Sequence, residues 1–165
     1  MTKSHFQMMA RYGAWANQRL VTSCQNLSTE NYHADRNAFF KSIHGTLTHI
    51  LVADRVWFGR ITGIDSGIDD LAAQLFDTFD GLTAARLSED QRIIDIIDDM
   101  DKEDIVGDLS YTPITDPTPM NTPMPLILTH VFNHATHHRG QVHTLLSQIP
   151  SDPPPLDLIY YLSEV

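Results

Sequence analysis

The sequence has a single cysteine, Cys24, among 165 residues, so a disulfide within the chain is excluded. No apolar run approaches the roughly 20 residues that a membrane-spanning helix requires. The opening stretch MTKSHFQMMARYGAWANQ also lacks the long apolar segment of a secretory signal. The expected protein is soluble and cytoplasmic. Positive charge is scarce too, with 11 Lys and Arg against 21 Asp and Glu and a formal net charge of −10 at pH 7. Such a balance opposes approach to a phosphate backbone or an anionic leaflet, so neither nucleic acid nor a membrane surface is an expected partner.

Two further absences are local. Residues 37–62 hold no proline, and residues 125–150 hold no Asp or Glu although the chain is acidic elsewhere. The first permits a long helix. The second means that any metal ligand from 125–150 has to be an imidazole rather than a carboxylate.

The residues present are enough for one core: 42% are apolar, and the length suits one domain spanning 1–165. Phe6, Met9, Tyr12, Ala16 and Leu20 recur at helical spacing and predict a first helix over about 4–26, ended by the capping-type pattern LSTE. The apolar series from Phe39 and Phe40 through Ile43, Leu47, Ile50 and Leu51 to Trp57 and Ile61 predicts a second helix over about 37–62. Gly63, Gly67, Asp69 and Asp70 interrupt it, and a short helical piece is expected at 71–79.

A third amphipathic helix is expected over 82–103, with its carboxylates on a solvated face. Five prolines between Gly107 and Pro125 exclude helix there and leave an irregular crossover or a small β-hairpin. Pro125 suits the first turn of a fourth helix reaching about Gln148, and LDLIYYLSEV reads as a short terminal helix or docked tail. The expected fold is all-α, a four-helix bundle with a proline-rich crossover before the last long helix. Bundle cores are recurrent places for metal sites.

Five of the nine histidines fall between Leu128 and Leu146. At about 100° per residue the apolar side chains of this helix occupy one stripe. His134 and His138 lie at its border or within it. His130 and His137 lie further out, and His143 falls off the opposite edge. An i, i+4 histidine pair stacks two imidazoles on one face, where they can chelate one cation. Surface or hydrogen-bonded core histidines would give the same spacing.

A third ligand must come from another helix, and His49 is the candidate, beside the second apolar flank of Val52, Ala53 and Val56. By itself it would equally read as a core imidazole bonded to a carbonyl. Three neutral nitrogens plus an open position suit Zn(II), Ni(II) or Fe(II) better than Mg(II) or Ca(II). Thr46, Thr48 and Asn133 are candidates to hold the other ring nitrogens. Asp54 and Arg139 fall on apolar stripes, and the expectation is that they pair with one another; the alternative is a snorkelling Arg139 and an Asp54 satisfied by backbone.

With SIHGTLTHILVADRVW, HVFNHATHHRGQV and DLIYYL in place, the chain resembles the DinB family of small bacterial metal-binding bundles, which is unrelated to the DNA polymerase sharing that label. The likeness runs from YGAWANQRL to the tail. It implies an up-down-down-up bundle, often homodimeric, with a divalent metal held by the histidine of TLTHIL, His49, and the first and last of HATHH, His134 and His138. His130 and His137 match positions that are not usually ligands. Related thiol-dependent branches include bacillithiol and mycothiol transferases and a maleylpyruvate isomerase.

The resemblance therefore implies a metal-dependent thiol S-transferase or a hydrolase-type enzyme, acting on a low-molecular-weight thiol and a small electrophile. The sequence shows no catalytic acid or base beside the ligands, which keeps open a non-catalytic protein that binds metal or a small molecule in a stress response, and, further off, a simple interaction module.

Overall fold

Short polar side chains set where the helices begin. The hydroxyls of Thr2, Ser28, Ser42 and Thr78 each accept a bond from the backbone N–H three residues on, and Asp101 forms a reciprocal capping box with Asp104. In the computed structural model, which describes residues 1–165, these caps start α1 (Lys3–Cys24), α2 (Thr29–His33), α3 (Ile43–Thr62), α4 (Phe79–Asp99) and α5 (Lys102–Val106). The proline-rich stretch pairs β1 (Asp108–Tyr111) with β2 (Met120–Pro123) in an antiparallel hairpin. Then follow α6 (Met124–Leu146), with Pro125 in its first turn, and α7 (Leu158–Glu164).

Side-chain pairings fix the direction of each long helix. Gln7 and Arg11 of α1 reach Asp98 while Asn17 reaches Asp90, so α4 runs against α1. Leu47 shares a cluster with Leu82, Asp54 meets Arg86, and Ile61 lies near Ile96, so α3 and α4 run the same way. His49 meets His138 edge-on and Trp57 meets His130 the same way, so α6 runs against α3. Phe6 packs on Phe132 and Arg139 lies over Tyr12, so α6 runs with α1. The bundle is up-down-down-up.

Two parallel neighbours require a connection as long as the bundle itself. Residues 63–78 provide it without a helix: Asp70 accepts from the N–H of Ala72 through its side chain and from Ala73 through its carbonyl, making a turn where a short helix was expected. At about 3.3 Å per extended residue such a segment readily spans a 20-residue helix of about 30 Å. The hairpin joins the antiparallel pair α4 and α6.

The second helix starts six residues later than the apolar series suggested. Ser42 caps it, and residues 38–41 form a tight loop in which Lys41 N–H bonds to the Ala38 carbonyl and Lys41 adopts φ +67°. This loop turns Phe39 to solvent, 84% exposed, and Phe40 inward.

The core has two apolar halves. One centres on Phe6, Phe58, Ile97, Leu128 and Phe132, the other on Leu20, Ile43, Leu51, Val142 and Leu146. Each fully buried side chain of this kind contributes about 1.5–3 kcal/mol. Between them lies a belt of buried polar groups contributed by all four long helices: Asn17, Asp54, Arg86, Asp90 and Arg139.

Here the expected pairing of Asp54 with Arg139 is corrected. Asp54 Oδ2 accepts from Arg86 Nη1 at 2.6 Å, Arg86 Nη2 lies 2.9 Å from Asp90 Oδ1, and Asn17 Nδ2 donates to the same oxygen at 2.8 Å. Arg139 instead stacks 5.2 Å over the Tyr12 ring and donates to the Thr136 hydroxyl at 2.9 Å. The reason is orientation: α4 and α6 both flank α3, but α4 presents Arg86 directly to Asp54 while Arg139 turns toward Tyr12 of α1. The carboxylates of α4 are accordingly not all solvated, since Glu89 and Asp90 are only 5% and 7% exposed.

Candidate metal centre

The two halves of the site lie on facing helices. His49 is in the second turn of α3, and His134 and His138 follow one another by a turn on α6. Antiparallel packing of α3 and α6 brings His49 level with that pair. His49 and His138 are 6% and 7% exposed, and His134 is half-buried between them.

The three Nε2 atoms point at one another. His134 Nε2 lies 3.1 Å from His138 Nε2 and 3.4 Å from His49 Nε2, and the ligand atoms of the three all lie within 4.8 Å of one another. Nitrogens held about 2.0–2.1 Å from one tetrahedral ion stand roughly 3.4 Å apart, close to both short separations.

The other ring nitrogens decide the tautomers. His49 Nδ1 donates to the backbone carbonyl of Leu71 at 2.9 Å, and His138 Nδ1 donates to Gln141 Oε1 at 2.8 Å. A neutral imidazole that donates from Nδ1 carries its lone pair on Nε2. Two lone pairs thus face the His134 nitrogen, which can offer at most one proton. A cation at their centre satisfies all three at once, so the residues fit a divalent metal, and this fit rests on the donor set itself.

Electrostatics agree. Burial, then the neighbouring His138 and His49, push the His134 pKa down to about 3. Burial likewise lowers His49 and His138, against the raising effect of their hydrogen bonds to Leu71 and Gln141. All three stay neutral at physiological pH, the form a metal requires.

Thr46, Thr48 and Asn133, expected to hold the ring nitrogens, do not. Thr46 bonds to the Ser42 carbonyl, the Thr48 hydroxyl is buried without a partner, and Asn133 is exposed. Leu71 and Gln141 take that role. Gln141 stands three residues after His138 on one helix face, a spacing legible in the sequence; a backbone carbonyl brought in by residues 63–78 leaves no such signal.

Phe40 closes the site from another side. Its ring lies parallel to His49 with centroids 3.8 Å apart, and edge-on to His138 at 5.5 Å. His130 and His137 stay outside the converging set: His130 packs 5.2 Å from Trp57, and His137 bonds to Gln141 Nε2. His143 lies on the wall of a separate hollow beside Arg139.

A cleft of about 280 Å³ opens over His49 and His134, between α3, α6 and the hairpin tip.

The family model for the DinB family matches residues 1–164. The chain belongs to the DinB family. Among curated proteins it is similar to Protein DinB of Bacillus subtilis (strain 168), 29% identical over 159 residues that cover 92% of this chain and 90% of the relative. This DinB-family chain also has no helix long and apolar enough to cross a membrane.

Proposed function

We propose that this DinB-family protein is a metal-dependent enzyme of the thiol S-transferase or hydrolase type, with His49, His134 and His138 as its metal ligands and Zn(II), Ni(II) or Fe(II) as its ion. The observation that carries the proposal is the convergence of three neutral Nε2 atoms beside an open cleft. A divalent ion with one free position supplies Lewis acidity that lowers the pKa of a thiol or water.

The chain's own residues do the rest. Leu71 and Gln141 fix the ring tautomers, Phe40 excludes water from the inner face, and the cleft admits a small electrophile. The partners are a low-molecular-weight thiol and that electrophile, with neither nucleic acid nor membrane. The expected setting is a cytoplasmic homodimer, the dimer following from the family likeness.

A second reading, a binding protein without turnover, draws on one observation: no carboxylate lines the cleft. Metal content of protein purified without an affinity tag, compared with His134→Ala, tests the ligand set. Equal metal in both would remove it. Metal-loaded protein incubated with thiols and a chlorodinitrobenzene-type electrophile then separates the readings, because the enzyme gives a metal-dependent rate and the binder gives none.

A further inference from the structure

Arg60 is a cation without an anion. The chain carries 21 acidic side chains, yet none of its ion pairs includes Arg60. The guanidinium is nevertheless held in place, 4.8 Å over the Trp57 ring and 5.1 Å over the Tyr111 ring, with Nη2 donating to the Thr112 carbonyl at 3.0 Å. Nε and Nη1 have no protein acceptor. Burial has also partly stripped the group of water, which lowers its pKa from the ordinary value.

The same side chain lines the cleft that opens over His49 and His134. Between Arg60 and the three converging histidines the wall is mostly apolar, formed by Ala53, Val56, Trp57 and Ile114, with His130 and Thr115 as its polar members. Arg60 lies eleven residues after His49 on α3, about 16 Å of helical rise, and its long side chain reaches back over Trp57 and shortens that gap. The cleft thus has a metal-ligating end, a mostly apolar middle and a fixed, partly desolvated cation at the far end. Each free donor shares an edge of the guanidinium with Nη2, whose second hydrogen completes a two-pronged fork that matches a carboxylate.

We infer that the cleft selects an anionic small molecule, a carboxylate joined to an apolar body, with the acid on Arg60 and the body running toward the three histidines. This deepens the proposed function by naming the chemical class of thiol or electrophile, and its test is arranged to stand apart from that reading. Arg60 is a binding residue here. A purely structural role, strapping the hairpin to α3 through Thr112, would leave ligand preference untouched.

The experiment uses two matched probes without a thiol, 4-phenylbutyrate and 4-phenylbutanol, titrated calorimetrically into the full chain with and without zinc. The acid binds at least about tenfold tighter than the alcohol. Arg60→Ala and Arg60→Gln abolish that preference while the alcohol binds as before, and Arg60→Lys restores part of it. Equal affinity of the two probes for the wild type, or an acid preference undiminished in Arg60→Gln, overturns the inference.

A third probe, 6-mercaptohexanoate, separates the two levels. If zinc adds nothing to its affinity while the phenylbutyrate preference persists, the thiol reading of the metal fails and the anion site stands.

Discussion

Phe40 lies flat on His49, its ring plane inclined by only 16° to the imidazole. The contact depends on Gly45, where a Cβ would collide with the Phe40 carbonyl oxygen. A backbone-to-backbone approach in the first turn of α3 thus delivers an aromatic lid to a histidine one turn further on.

Gly45→Ala should push the loop at 38–41 away from α3, lowering stability by about 1–3 kcal/mol, as overpacking does. Phe40→Ala tests the lid alone. A stacked pair contributes about 0.5–1.5 kcal/mol beyond its buried area, so zinc affinity should fall by up to about tenfold. Titration against a competing chelator reads it. Unchanged affinity in Phe40→Ala would show that the ring contributes nothing to holding His49.

Gln141→Leu removes the acceptor that holds the His138 Nδ1 proton. Partners of this kind commonly change metal affinity by about 10–100-fold, and a loss in that range is expected here. Circular dichroism should remain unchanged, since Gln141 is only partly buried and its loss leaves the helix intact.

A double-mutant cycle distinguishes the two possible partners of Asp54. Coupling between Asp54→Asn and Arg86→Met, measured by urea unfolding, should exceed about 1 kcal/mol, while the cycle with Arg139→Met should give the smaller value. The 2.6 Å bond to Arg86 and the engagement of Arg139 with Tyr12 and Thr136 set that order. A larger coupling to Arg139 would contradict the observed belt.

The same belt predicts a pH dependence. Burial pushes the Asp54 carboxyl up to about 6, against the opposing pull of Arg86, and burial also raises Asp90. An acid whose pKa is higher folded than unfolded binds its proton more readily when folded. Its contribution to stability therefore grows as pH falls from 7 through 6, and levels off below the unfolded value near 3.9. Asp54→Asn cannot titrate. The unfolding free energy of the metal-free wild type minus that of this variant should rise between pH 7 and 4.5, by at most about 3 kcal/mol. A flat or falling difference would refute the raised pKa.

The four long helices were legible because each keeps its apolar stripe for five or six turns, and the i, i+4 pair on α6 carries its chemistry in its spacing. Periodicity failed where a cap overruled it. Phe39 and Phe40 fit the stripe of α3, but Ser42 starts that helix and turns one ring out and the other onto His49.

It failed again at Asp54. Two charges on apolar stripes must each find partners, but which ones depends on the neighbouring helix each side chain turns toward, and that is set by packing rather than by any one helix. Arg86 was hidden among carboxylates that read as a solvated face. Arg60, near the end of α3, carried no signal until the hairpin closed over it.

Residues 63–78 look like an ordinary exposed connection, the kind that tolerates insertions. Leu71 changes that, because its carbonyl is the anchor of His49. Adding or deleting a residue shortly before it would misplace that oxygen and let the imidazole spin. The freedom to vary in length belongs to the turn at Asp116 and Thr118, which follows the cleft-lining Pro113, Ile114 and Thr115 and does not itself line the cleft. Of these two links, the first behaves as tethered machinery and the second is slack only at its outermost turn.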